Sequence, residues 1–469
     1  MNRMLRGFAL ALTLCCLQPQ TSAAAELHFK PATWAEWNAR LTPRFPDKTW
    51  QKFARPEEAG WSSEKLDEVR ALARSFGSAA VMIVLDGVVV AEWGEVERRF
   101  LNHSIRKSLL SALYGIAVDR GQLSLNETLG ALKIDDNTPL TLEEKTATIA
   151  DLLKSRSGVF LPAAYETDDM RKKRPQRGSH KPGSFWLYNN WDFNALATIY
   201  NRKTKSDLFK DFKTQIADPL QMRDFALRHT YYHLEAKHSR HPAYPFRMSA
   251  RDLARFGLLY LNEGTWKDTR IVSADWVRES TASYSRSERV WRGYGYMWWR
   301  YLGELAALGA YEASGAGGHR IIVVPGARLV VVHRVNTYVG KKVSGGRIRR
   351  LLKAIVQART GPVRADAAIV EREQRPVADE ATPSPADVES LLGRYQGPRF
   401  QLNIARRTGG LQATVPTYGT FYLIKNGPRD YVIEDTLFRL SFDGSGDAPA
   451  GGLTVTFPHD KPAKLTRKP

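Results

Sequence analysis

Cysteine is almost absent from this chain of 469 residues: there are two, Cys15 and Cys16, side by side near the amino end. Both fall in the leader described below, so a mature chain has no thiol for a disulfide, a nucleophile or a thiolate metal site. Long apolar runs are missing beyond that leader, which argues against a membrane-spanning helix in the folded part. Acidic residues are scarce relative to basic ones, 49 against 69, for a formal net charge of +20. Such a charge attracts polyanions. The basic residues are spread along the chain, with small clusters only at "RKKRPQR" (171–177) and "GGRIRRLLK" (345–353). They read as a solvated surface. An anionic cell-wall or membrane surface is the expected contact, and nucleic acid is not expected of an exported chain.

What is present first is a leader. "MNRMLR" is a basic head, "GFALALTLCCL" an apolar run too short to span a bilayer, and "TSAAAE" a stretch of small residues. This is the layout of a secretory signal over residues 1–25, cut after Ala25, and it predicts a periplasmic or extracellular protein.

The rest divides by pattern. Residues 56–77 read as an amphipathic helix started by serine. Residues 79–94 read as two apolar strands around Asp86-Gly87, a hairpin signal. Over 104–120, apolar residues at 105, 109, 110, 113, 116 and 117 give helical spacing closed by Gly121. Residues 125–285 are mostly helix and loop, including a helix over 249–264. A second apolar hairpin follows around Pro325-Gly326 (320–336), then a basic helix near 347–358. The predicted fold over 26–360 is α/β of the α+β type. It has an antiparallel sheet flanked by helices, with an inserted helical subdomain. Residues 361–386 lose periodicity and read as a linker. Residues 387–469 alternate short strands with turns and read as a small all-β, barrel-like accessory domain.

One constellation carries chemistry. Ser104 and Lys107 lie three apart at the start of an apolar helix, so their side chains share a face. A serine hydroxyl becomes a nucleophile when a base takes its proton, and a lysine held neutral can be that base. The other Ser-x-x-Lys match, Ser62 to Lys65, is explained by a helix cap. Tyr188-Asn189-Asn190 stands in a loop, and the glycine-rich "EASGAGGHR" (312–320) leads into a strand. Such a bend lets backbone amides approach an oxyanion. His103 and His319 flank these segments, and His319 is read as a substrate contact. A rival chemistry lies in His229, His233, His238 and His241. Two of these have the spacing of metal ligands on a helix, without the glutamate of a metalloprotease motif. No metal and no cofactor are expected.

Ser104-x-x-Lys107, Tyr188-x-Asn190 and the 312–320 bend, in that order, resemble the serine β-lactamase and penicillin-binding-protein superfamily. The likeness covers about residues 56–358. It is to the class C-like branch, with esterases, D-amino-acid-specific peptidases and 6-aminohexanoate-dimer hydrolase. The resemblance implies Ser104 as the acylated nucleophile, Lys107 as its base and Tyr188 as a second proton-transfer group. It implies Asn190 lining the substrate cleft, and an oxyanion hole from the Ser104 amide with that of Gly315 or Ala316. Where such proteins place Lys or His at the head of the third motif, this chain has Glu312-Ala313-Ser314-Gly315. Avid penicillin hydrolysis is therefore not expected. The reading is a secreted serine hydrolase of a small-molecule or peptide-like ester or amide, with β-lactam-like bonds among the candidates. The alternative is a catalytically silent cell-wall or ligand-binding protein on the same fold.

Overall fold

Ten strands form one sheet in the larger domain. In chain order they are β1 (Gln51–Phe53), β2 (Ser78–Leu85), β3 (Val88–Gly94), β4 (Ser285–Arg286) and β5 (Arg292–Tyr294). There follow β6 (Trp299–Tyr301), β7 (Tyr311–Gly315), β8 (His319–Val324), β9 (Leu329–Val335) and β10 (Ile369–Glu371). They lie side by side as β10-β1-β3-β2-β9-β8-β7-β6-β5-β4. Neighbours are antiparallel apart from β1 and β3, which run parallel at Lys52 and Val89. The computed structural model describes residues 30–287, 290–373, 385–398, 401–407, 410–415, 419–433, 438–457 and 461–469. The leader lies outside them.

Both expected hairpins stand at the centre of this sheet. Asp86 and Gly87 turn β2 into β3 with φ of 46° and 94°, the left-handed pair that a two-residue hairpin favours. A Cβ at Gly87 would lie 1.7 Å from the Arg44 carbonyl oxygen, so only glycine fits. Alternate residues of β2 serve two cores. Ala80, Met82 and Val84 face one that includes α2 (Ile105–Asp119), α3 (Asn190–Thr204) and α4 (Ala250–Leu261). Val81, Ile83 and Leu85 face another, shared with α1 (Ser63–Phe76) and α5 (Gly345–Ala358). Burial on both faces is why these strands read as unbroken apolar runs rather than alternation. Helix α2 is thus wedged between the sheet and the inserted helical region, with Ile105, Leu109, Leu110, Leu113 and Ile116 in the first core. No helix among the described residues is long and apolar enough to cross a membrane.

The expected linker of 361–386 needs correction in its first half. β10 pairs antiparallel with β1 over Gln51–Phe53, and Arg372 bonds the carboxylates of Glu92 and Glu97 and donates its amide to the Trp50 carbonyl. Residues 361–373 therefore belong to the larger domain. Loss of periodicity misled the reading because a three-residue edge strand has no period to show. The second half of the linker lies mostly outside the described residues.

The carboxyl-terminal module is a closed antiparallel barrel of eight strands. These are β11 (Gly393–Gln396), β12 (Gln401–Arg407), β13 (Gly410–Val415), β14 (Gly419–Lys425), β15 (Asp430–Ile433), β16 (Arg439–Phe442), β17 (Gly452–Thr456) and β18 (Ala463–Lys468). Pairing of β18 with β11 closes it, and closure leaves no free edge. Its core holds Tyr395, Leu411, Tyr431, Leu440 and Leu453. The barrel meets the larger domain through β14. Tyr422 and Ile424 pack with Phe100, Leu101 and Tyr338, and the ring of Phe421 lies 5.4 Å from that of His233. Phe100–Leu101, which leads into Ser104, pairs with Arg247–Met248.

Candidate active site

Helix α2 starts at Ile105, and Ser104 occupies its cap position with helical backbone (φ −75°, ψ −6°) and no capping bond from its hydroxyl. Ser62, by contrast, accepts the Lys65 amide at 3.3 Å and starts α1 in the ordinary way. The two Ser-x-x-Lys matches thus differ in what the hydroxyl does. One is used up as a cap, and the other is left for something else.

The Ser104 hydroxyl faces Lys107. Lys107 is 2% exposed, and its Nζ lies 2.9 Å from Ser104 Oγ, 2.6 Å from Tyr188 OH and 2.9 Å from Asn190 Oδ1. Four of the residues nominated from sequence thus meet at one amine. Tyr188 and Phe193 place their rings 4.3 and 4.4 Å from it. Burial pushes the Lys107 pKa well below the usual lysine range, with the Arg106 charge adding to the effect. The same burial raises Tyr188 above the ordinary phenol value. Hydrogen bonding to Ser104 and the charges of Arg106, Arg292 and Arg320 oppose that rise. A neutral amine beside a neutral phenol is the arrangement a base and a proton donor need.

Asn190 has a different place from the one the resemblance implies. It is 3% exposed, and while its Oδ1 meets Lys107, its Nδ2 donates to the Tyr165 carbonyl at 2.6 Å. Both ends of its amide are occupied within the protein, so it holds the Lys107 amine. His319 also departs from its expected role. It is 0% exposed, beneath the ring of His103 at 5.1 Å, and has no hydrogen-bond partner on either ring nitrogen. It offers no surface to a substrate. Burial and the nearby Arg334 depress its pKa, so it is a neutral core imidazole. His103, with φ of 48°, lies 3.0 Å from Thr337 Oγ1 through its Nε2.

β7 ends at Gly315, and Ala316–Gly318 form a tight turn with Gly317 at φ 79°. A Cβ at Gly315 would lie 2.5 Å from the Asn102 carbonyl oxygen and 3.4 Å from the His103 Cβ. The end of β7 therefore presses on the loop that carries Ser104, and the absence of a side chain permits it. Gly315→Ala is expected to lower kcat/KM by about 10- to 100-fold through sub-ångström displacement of these two segments. Steady-state kinetics beside a thermal melt checks this, and unchanged activity in the folded variant would break the link between the bend and the site.

At the head of this motif, Glu312 is buried and enclosed by Arg292, Arg320 and the Tyr301 hydroxyl. Arg320 also donates to the carbonyls of Gly315 and His319, at 2.9 and 2.7 Å. Two guanidinium groups thus cover the one acid. The Arg292 guanidinium lies 3.9 Å from the Trp299 ring centroid, and Trp299 stacks on Tyr188 at 5.5 Å.

The histidine run is dispersed into separate contacts. His229 Nδ1 accepts the Ala226 amide at 3.0 Å, His233 and His238 both bond Glu235, and His241 Nδ1 lies 3.0 Å from Thr198 Oγ1. Among the described residues no group of three or more His, Cys, Asp or Glu could hold a metal ion. Arg106, Tyr165 and Asn194 were not nominated from sequence, yet they stand behind the amine's partners: Tyr165 bonds Asn190, and Asn194 bonds Arg106. For Arg106 there was a signal: a charge set one turn before Leu109 and Leu110, at the buried start of an apolar helix.

A family model described as Beta-lactamase matches residues 59–355. No curated protein matches the chain in sequence. Among solved structures, a putative 6-aminohexanoate-dimer hydrolase from Bacillus anthracis is 19% identical, covering 69% of this chain and 93% of its own, with a TM-score of 0.50. An octameric penicillin-binding protein homologue from Pyrococcus abyssi is 16% identical, covering 86% and 99%, with a TM-score of 0.48. A class C β-lactamase mutant is 14% identical, covering 66% and 99%, with a TM-score of 0.47. With the matched segment spanning more than half its length, the chain belongs to the β-lactamase family.

Proposed function

We propose that the protein is an exported serine hydrolase that cleaves an ester or amide through an acyl-enzyme on Ser104. The observation that carries this is the convergence of the Ser104 and Tyr188 hydroxyls on the buried Lys107 amine, at 2.9 and 2.6 Å. In the neutral amine a lone pair is open to the Ser104 proton. As Ser104 Oγ bonds the carbonyl carbon, its proton passes to Lys107 Nζ and the carbonyl oxygen takes the negative charge. The amides of Ser104 and of Ala316 or Gly315 hold that oxyanion. Collapse breaks the bond to the leaving group, which takes a proton through Tyr188. Water then repeats the attack on the acyl-enzyme, and Ser104 regains its proton.

The substrate class is a small or peptide-like ester or amide. The internally neutralised Glu312 stands where a substrate carboxylate would otherwise meet a cation, which favours substrates without a carboxylate at that point over penicillins. Export rests on the leader pattern, and contact with an anionic wall or membrane surface rests on the net charge of +20. A fluorophosphonate probe is expected to add one covalent mass to the protein, located on Ser104 by peptide mass spectrometry. A protein left unmodified at pH 8 would instead support the silent binding protein.

A further inference from the structure

Arg106 stands between the nucleophile and the base in sequence, and its surroundings are unusual for an arginine. It is 1% exposed. No carboxylate lies within ion-pair distance among the described residues, and its Nε and Nη1 lack hydrogen-bond partners. Its one hydrogen-bonded acceptor is Asn194 Oδ1, 3.3 Å from Nη2. The remaining support is aromatic, with the guanidinium 4.2 Å from the Tyr244 ring and 5.8 Å from that of Tyr165. A buried cation is normally matched by an acid, because desolvation otherwise costs far more than aromatic faces return. The exception calls for a reason.

Its position supplies one. Asn194 Nδ2 donates to the Ala164 carbonyl at 3.0 Å, so Arg106 braces the segment that ends in Tyr165. The Tyr165 carbonyl in turn takes the Nδ2 proton of Asn190 and so turns Asn190 Oδ1 toward Lys107. The charge of Arg106, on the residue adjacent to Lys107, has no acid to neutralise it and acts against protonation of the amine. We infer that Arg106 is a positioning residue whose unpaired charge, together with the Tyr165–Asn190 link, keeps Lys107 available as a base. This rests on the proposed role of Lys107.

Other charged or titratable groups surround the amine. Tyr188 faces it directly, and Asp192 follows on α3. Asp192 is buried, and its Oδ1 accepts from Ser157 and Asn189, so these partners lie at the start of its own helix and on the Ser157 loop. Tyr244 lies beyond Arg106. From the sheet come Tyr294 and Arg292 on β5 and Arg320 on β8, with Glu312 occupied by the two arginines. Arg106, unlike Arg292 and Arg320, therefore has no acid of its own among the described residues.

The sign follows directly. A nearby positive charge disfavours protonation of Lys107, so removing it raises the pH at which the amine becomes a base. The test is the second-order rate constant for fluorophosphonate labelling from pH 5 to 10, in wild type, Arg106→Met, Arg106→Lys and Asn194→Asp. Arg106→Met is expected to move the acid limb up by about one pH unit, roughly a tenfold slower labelling below the limb. Asn194→Asp, which sets a carboxylate against the guanidinium, should move it the same way. Arg106→Lys, which keeps the charge, should stay near wild type. Limbs that coincide in wild type, Arg106→Met and Asn194→Asp would overturn the inference. If Arg106→Met does not fold, Asn194→Asp alone decides. A wild type that fails to label would overturn the hydrolase reading, which is a separate result.

Discussion

Ser104→Ala is expected to lower kcat/KM by about 10⁴-fold or more on any ester that the wild type cleaves, since the acyl-enzyme can no longer form. Stability should hardly change. Ser104 is only half-buried and caps nothing, so loss of its hydroxyl falls within about 0.5 kcal/mol. This pairing of a large kinetic loss with an unmoved melting temperature is diagnostic, because a structural serine would give the reverse. The measurement is turnover of a p-nitrophenyl ester beside a thermal melt, with intact mass after brief mixing to look for the acylated species. An alanine variant that still turns over at the wild-type rate would end the case for Ser104.

Lys107→Met should come next in severity, with acylation slowed by about 10²- to 10⁴-fold. Methionine matches the stem in length and apolar character but has no amine, leaving the Ser104 proton without an acceptor. The wild-type profile supplies a second check. Lys107 works as the neutral amine, so activity is retained above its folded-state pKa and lost as pH falls through it. Burial sets that pKa well below the usual lysine range, so the acid limb should lie far under the pH at which a free lysine titrates, about 10.4. In Lys107→Met the limb should vanish along with most of the rate. A limb that persisted unchanged would assign the base elsewhere.

Sequence alone reached the centre of this site and missed its supports, for physical reasons. The convergence of Ser104, Lys107 and Tyr188 was legible because a serine and a lysine three apart on a helix share a face, and a Tyr-x-Asn in a loop is free to reach them. The two Ser-x-x-Lys matches were separable because Ser62 opens an amphipathic helix as its cap, which the Lys65 amide bond bears out. Asn190 was found and its task misjudged, because which end of an amide meets a cleft depends on a carbonyl, that of Tyr165, from a distant loop. His319 read as a substrate contact beside a glycine bend, yet its pairing with Gly315 on β7 and the ring of His103 bury it. The central hairpins and the closing barrel were plain from apolar runs and turns. The strand at 369–371 was invisible, being fixed by the partner β1 rather than by its own composition.

The barrel's seat on the larger domain has a bearing on how the protein can be divided. Phe100 and Leu101, 0% exposed, are covered in part by Tyr422 and Ile424, and they stand only a few residues before Ser104. Cutting the chain after residue 373 would bare an oily spot next to the loop that carries Ser104. The two halves are therefore mechanically joined, and anyone who trims this protein to its larger domain removes a buttress of the Ser104 loop along with an appendage.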